Sequence, residues 1–298
     1  AVNTVVKRDN KLKGYNTDIY GMEYSLNRAG ITLKDKVVLI LGSGGTSKTA
    51  IALAKCQNAK KIIMLSRSGE VNYQNYFEQK DVQVVINTTP VGMYPNSYEC
   101  KIDLSVFDKL EGIFDAIYNP DLTLLTYNAK RLGVKYSNGL PMLVAQAKGA
   151  MQLFLDKQVD DDIIEKVIST IKRQTLNIVL IGMSGSGKSS VGKIIADKLG
   201  REFIDTDTVI EQREQTDIPT IFAQKGQEYF RKVEREVLLD VGKMTGKVIA
   251  TGGGVIENQD NLFPLKQKGI IFYLKREIEK LDRKGRPLAT RLDAVKTL

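Results

Sequence analysis

The sequence predicts an α/β protein with two nucleotide-binding domains, each on a largely parallel sheet. Two segments carry that prediction. "KVVLILGSGGTSKTAIALAKC" (36–56) and "NIVLIGMSGSGKSSVGKIIADKL" (177–199) each read as an apolar strand, a glycine turn and a helix. Length is the third observation, since 298 residues suits about two domains of roughly 100–200 residues. Between the two openings, "DDDIIEKVISTIKRQ" (160–174) reads as a helix with an acidic start and a basic end, as its dipole prefers. The boundary is therefore placed near Thr175, giving domains 1–174 and 175–298.

Composition narrows the function classes. The 42% hydrophobic and 27% charged fractions are ordinary for a globular protein. No apolar run approaches the ~18 residues of a membrane span, and no signal peptide opens the chain. Cys56 and Cys100 make no disulfide framework, which points to a reducing cytoplasm. The net charge of +9 is spread over both halves without a basic block, and aromatics are sparse at 7%. That pattern fits phosphate-bearing small molecules at least as well as a polynucleotide, and no nucleic-acid partner is expected. The chain has no histidine, so any proton transfer falls to Asp, Glu, Lys, Tyr, Cys or water.

In chain order, "AVNTVVKRDNKL" (1–12) reads as a strand, a charged turn and the start of a second strand. Two strands cannot bury a face alone. A polar turn then ends at Asp18. In the first glycine turn, Gly42-x-Gly44-x-x-Ser47 is a dinucleotide fingerprint with serine at its third glycine. Gly42 permits the tight turn, while Gly44 lets backbone approach a pyrophosphate at the helix N-terminus. Alone this is weak, because glycine turns between strand and helix are often only structural. The next strand, "KKIIMLS", ends in Ser66, Arg67 and Ser68 where an NAD site wants a carboxylate. A guanidinium between hydroxyls suits a 2′-phosphate, hence NADP; a solvated loop arginine is the alternative.

Around that turn stand "AVNTV" (Asn3), "GYNTD" (Asn16, Asp18), "INTTPVGM" (Asn87, Thr88, Thr89, Gly92, Met93), "DAIYNPDLTLL" (Asp115, Tyr118) and "NGLPMLVAQA" (Gly139, Met142, Gln146). In this order they closely resemble the shikimate dehydrogenase family, from Ala1 to about Phe154. The resemblance implies NADPH-dependent reduction of 3-dehydroshikimate to shikimate. Asn3, Asp18 and Gln146 would touch substrate, and Tyr118 would line its pocket. Asp18 would be one half of a catalytic Lys–Asp pair. Gly42, Gly44, Gly45, Ser66, Arg67, Ser68 and the Asn87–Met93 loop would hold the cofactor. The family's substrate domain precedes these motifs, so the chain is expected to be truncated at its start and inactive as a dehydrogenase.

The second loop is more specific. Gly182-Met-Ser-Gly185-Ser186-Gly187-Lys188-Ser189 satisfies the P-loop pattern, followed by Ser190. Its N–H groups cradle phosphates, Lys188 reaches the β/γ oxygens, and the Ser189 hydroxyl meets Mg²⁺. Three further pieces bear on the acceptor. "FIDTD" places Asp205 and Asp207 at a strand end; "YFRKVERE" puts Arg231 and Glu234 one helical turn apart; "IATGGGV" supplies Gly252, Gly253 and Gly254. Singly, these are often a helix cap, a surface ion pair and a turn. As a set, from about Leu176 onward, they resemble the shikimate kinase family. By that resemblance, Asp207 would help deprotonate the attacking hydroxyl, Asp205 would support Mg²⁺, and Arg231, fixed by Glu234, would grip the substrate carboxylate. The Gly252–Gly254 backbone would admit the ring. "RKGRPLATRL" matches the family's lid, where Arg286 would reach the phosphoryl group and Arg283 would flank adenine. The match then stops, which leaves an impaired kinase as the expectation.

The combined reading is a bifunctional shikimate-pathway enzyme using NADP, ATP and Mg²⁺. A quinate-type dehydrogenase fused to another small-molecule kinase, or a regulator that only binds ligands, stays open at this point.

Overall fold

Val37–Leu41, the strand β3, is buried at all five positions. A strand covered on both faces belongs inside a parallel sheet flanked by helices, and the computed structural model, which describes residues 2–277, places it there. The chain divides into two units, 1–170 and 171–298.

In the first unit, β1 (Thr4–Arg8) and β2 (Lys11–Tyr15) form an antiparallel hairpin separate from the main sheet. The first long helix, α1 (Asp18–Arg28), leads into β3, and α2 (Gly45–Cys56) and β4 (Lys61–Leu65) follow. Then come β5 (Val84–Asn87), β6 (Gly112–Asp115), α3 (Leu124–Arg131), β7 (Lys135–Ser137), α4 (Leu140–Leu155) and α5 (Asp162–Thr175). The sheet is parallel, in the order β4-β3-β5-β6-β7.

Side chains alternate across it as a pleated strand requires. Val38, Ile40, Val84, Ile86 and Phe114 face Met22, Leu26 and Leu53 on one side. Val37, Leu39, Leu41, Val85 and Ile113 face Leu125 and Ala129 on the other. The chain leaves β3 towards β4 and returns to β5 on the opposite flank. That reversal opens a crevice at the carboxyl ends of β3 and β5, where ligands of open α/β sheets bind.

The second unit holds β8 (Asn177–Ile181), α6 (Lys188–Leu199), β9 (Phe203–Asp205), α7 (Thr206–Glu214), α8 (Ile218–Lys243), β10 (Val248–Ala250), α9 (Leu262–Gln267) and β11 (Gly269–Tyr273). Its sheet is also parallel, ordered β11-β8-β10-β9. Ala250 of β10 lies level with Leu180 on one side and Asp205 on the other. The P-loop, the aspartate pair and the triple glycine therefore leave the sheet at one edge. Helix α8 is interrupted at Gly226, whose φ of 82° is not helical. Among the described residues, no helix is long and apolar enough to cross a membrane.

Candidate active sites

At the crevice of the first unit, Gly42 has φ 106°, a conformation that glycine adopts without strain. A Cβ there would meet Thr88 Oγ1 at 2.9 Å and Thr89 Cγ2 at 3.0 Å. The turn after β3 thus rests against the loop after β5, and Thr88 Oγ1 donates to Leu41 O at 2.6 Å. Gly44 caps α2, and among the described residues nothing beyond the local backbone comes within 4 Å of a would-be Cβ on Gly44 or Gly45. An open helix N-terminus of this kind fits a pyrophosphate. Ser47, in place of the third glycine, is buried and donates to Gly44 O at 2.6 Å. Arg67 and Ser68 are exposed just past β4, and the Arg67 charge lies near Tyr73.

The Asn87–Met93 loop hangs on a buried network that the sequence reading did not assign. Asn87 and Asp115 sit level on neighbouring strands. Asn87 Nδ2 donates to Asp115 Oδ1 at 2.9 Å, and Asn87 Oδ1 accepts from Thr89 N (3.0 Å) and Thr89 Oγ1 (2.7 Å). Asp115 also accepts from Ile117 N at 3.1 Å and Thr123 Oγ1 at 2.6 Å. The available signal was a carboxylate closing an apolar strand, "GIFD".

Asp115 is fully buried, and burial pushes its carboxyl from 3.8 up to about 6, against the pull of its hydrogen bonds. Between about pH 4 and 6 the folded chain keeps a proton that the unfolded chain has released. This contribution to stability is full below the unfolded pKa and is lost as pH rises through 6, about 3 kcal/mol for a two-unit shift. Asp115→Asn keeps the shape. Its amide can donate to Thr123 Oγ1, which has Thr126 Oγ1 at 3.0 Å as an alternative partner. The expected result is a higher unfolding midpoint than the parent at pH 7.5 and little difference at pH 4. Parallel pH profiles in urea denaturation would overturn it.

Asp18 is the first residue of α1. Asn3 Nδ2 donates to Asp18 Oδ1 at 2.8 Å and to Thr17 Oγ1 at 3.1 Å. Helix α4 crosses α1 closely: a Cβ on Gly21 would meet Met142 O at 2.6 Å and Gln146 Cβ at 3.1 Å. Gln146 is thereby held against Gly21, which lies one helical turn beyond Asp18 on α1. Gly139 N donates to Ile117 O at 2.9 Å, tying the start of α4 to the loop bearing the exposed Tyr118.

In the second unit, Gly187 (φ 94°) precedes Lys188, the first residue of α6. Lys188 is buried, and its ammonium donates to Gly182 O (2.7 Å) and Met183 O (2.9 Å). Ser186 Oγ is buried without a hydrogen-bond partner among the described residues, and such a group costs stability unless a ligand engages it. Gly185 and Ser186 are buried within the loop, whereas Ser189 and Ser190 are exposed on the first turn of α6. Ser189 Oγ donates to Asp205 Oδ2 at 2.6 Å. A hydroxyl and a carboxylate beside a phosphate loop are the hard oxygen donors Mg²⁺ takes alongside phosphate oxygens. Asp205 also caps α7 by accepting from Asp207 N at 3.1 Å.

The triple glycine joins the remaining pieces. A Cβ on Gly252 would meet Asp207 Oδ1 at 2.8 Å and Glu234 Oε1 at 3.0 Å. One on Gly253 would meet Ser184 N of the P-loop at 2.6 Å, and one on Gly254 would collide with the Arg231 guanidinium. Gly252 N donates to Thr206 Oγ1 at 3.0 Å, a contact the sequence did not suggest. Arg231 NH1 donates to Glu234 Oε2 at 2.8 Å. Glu234 is buried, which pushes its carboxyl up, and Arg231 pulls it back down. Arg283 and Arg286 lie outside the described residues.

Residues 184–297 match the family model "Shikimate kinase". The NADP(+)-dependent shikimate dehydrogenase of Clostridium beijerinckii is 32% identical over 58% of this chain and 68% of its own length. The chain belongs to the shikimate dehydrogenase family. A shikimate kinase domain follows in the same chain: the Geobacillus kaustophilus shikimate kinase is 45% identical over 36% of this chain and 57% of its own length. The dehydrogenase region also resembles the crystal structure of a chorismate mutase/shikimate 5-dehydrogenase fusion protein from Clostridium acetobutylicum. That match has a TM-score of 0.55 and 34% identity, and covers 57% of this chain and 65% of that one. The chain thus spans about two thirds of such dehydrogenases and a little over half of the kinase.

Proposed function

We propose that the chain belongs to a bifunctional enzyme of two consecutive steps: NADPH-dependent reduction of 3-dehydroshikimate to shikimate, and ATP-dependent phosphorylation of shikimate to shikimate 3-phosphate, in the cytoplasm. The dehydrogenase assignment covers 1–174 and the kinase assignment 175–298. The observation that carries it is the meeting of Asp207, the P-loop and Arg231 along Gly252–Gly254. An acceptor base, a phosphate cradle and a carboxylate clamp then border one stretch of side-chain-free backbone.

NADPH would supply the hydride, and ATP with Mg²⁺ the phosphoryl group. The chain's residues position and move protons. Asp18, oriented by Asn3, exchanges a proton with the substrate, and Gln146 and Tyr118 hold the ring. In the kinase, Asp207 takes the proton of the attacking hydroxyl, Arg231 orients the acceptor through its carboxylate, and Lys188 steadies phosphate charge. Ser189 and Asp205 would hold Mg²⁺, which would offset phosphate charge.

Two measurements test this reading. ADP formation should depend on shikimate; ATP turnover indifferent to shikimate would overturn the acceptor assignment. NADPH should bind better than NADH, because Arg67 meets the 2′-phosphate in a charge-assisted bond of ~1.5–3 kcal/mol, roughly ten- to hundredfold. Arg67→Ala should erase most of that preference in a fluorescence titration, and equal binding of both cofactors by the parent would sink it.

A further inference from the structure

Directly after the triple glycine the chain makes one tight turn, Val255–Glu257, with Glu257 N donating to Gly254 O at 3.1 Å. That turn returns the Glu257 side chain to Arg231, where Oε2 accepts from NH2 at 2.5 Å. The two terminal nitrogens of Arg231 are therefore both engaged by carboxylates, Glu234 on NH1 and Glu257 on NH2. The two partners are not equivalent. The Glu234 side chain is 2% exposed and that of Glu257 is 51% exposed. Releasing Glu234 would strand a buried carboxylate. Releasing Glu257 only returns it to water.

We infer that Glu257 is an internal competitor for the acceptor's carboxylate, and so a determinant of which acceptors the kinase takes. The inference rests on reading Arg231 as the acceptor clamp. A guanidinium binds a carboxylate best through two parallel N–H bonds, and Glu257 already holds one of the donors. An incoming acid replaces like with like and leaves Arg231 neutralised. A neutral polyol cannot make that exchange, so the Arg231–Glu257 pair stays closed against it. The cost is lower affinity for the proper acid.

The test is calorimetric titration of the 298-residue chain with shikimate in the presence of Mg·ADP, comparing the parent, Glu257→Gln and Arg231→Lys. Glutamine keeps the size of this half-exposed side chain and removes its charge. Shikimate should bind Glu257→Gln roughly two- to fivefold more tightly, the scale of a half-exposed ion pair, while the Kd for ADP does not move. Arg231→Lys, which loses the bidentate fork, should bind shikimate more weakly. Unchanged or weaker shikimate binding by Glu257→Gln, with Arg231→Lys weakened as expected, would overturn the competitor role and leave the clamp standing. No shikimate binding by the parent, or none lost in Arg231→Lys, would remove the clamp and this inference with it.

Discussion

Lys188→Ala should lower shikimate-dependent ADP formation by at least on the order of 10²–10³, the loss seen when one preorganised electrostatic contact to a transition state is removed. The structure gives two reasons. Lys188 is buried at the start of α6, so its charge acts in a poorly solvated setting where Coulomb interactions are strong. Its ammonium also ties Gly182 O to Met183 O, so alanine removes both the cation and the brace of the loop that carries it. Initial rates under saturating Mg·ATP report the charge effect, and nucleotide affinity reports the brace. Turnover within threefold of the parent would take Lys188 out of the phosphate site.

Asp207→Asn should reduce kcat by ~10²–10⁴ while Mg·ATP still binds. The backbone of Asp207 is held by the Asp205 cap, and its carboxylate lies against Gly252. Asparagine preserves that shape and the helix start but cannot accept the hydroxyl proton. Because the carboxylate that Ser189 engages is that of Asp205, the defect should appear in the chemical step and leave metal-dependent nucleotide binding intact. Normal phosphorylation of shikimate by this variant would mean that the acceptor site lies elsewhere.

Sequence made legible whatever depends on neighbours along the chain. The unbroken run "VVLIL" announced an apolar strand, and the spacing Gly182 to Ser189 announced a phosphate loop, because a few consecutive backbone torsions build it. The i,i+3 spacing of Arg231 and Glu234 likewise gave an ion pair that the helix then forms. Pairings set by sheet register or by the return of a distant turn were not legible. Asn87 and Asp115 meet only because β5 and β6 align with no offset. Glu257 reaches Arg231 from 26 residues away, and nothing in either segment by itself selects the other. Asp205 shows a third limit: the same side chain caps α7 and accepts from Ser189, so a structural and a ligand-facing reading hold together.

The β1–β2 hairpin stands outside the main sheet, and β2 buries no residue. Its opening therefore draws little on the hydrophobic core. Opening costs mainly the burial of Thr4 and Val6, the Asn3 bonds to Thr17 and Asp18, and the hold of Arg8 on Leu153 O and Asp156. Local unfolding free energies range from near zero to the global value, and this hairpin should fall at the low end, with β3 and β5 at the high end. Amide hydrogens of Thr4–Arg8 would then exchange with solvent long before those of Val37–Leu41. Because Asn3 and Asp18 are both assigned to substrate, a ligand that engages them adds its binding free energy to the closed hairpin alone. Slowed exchange in those five amides would then read out occupancy of the dehydrogenase site even where no hydride moves.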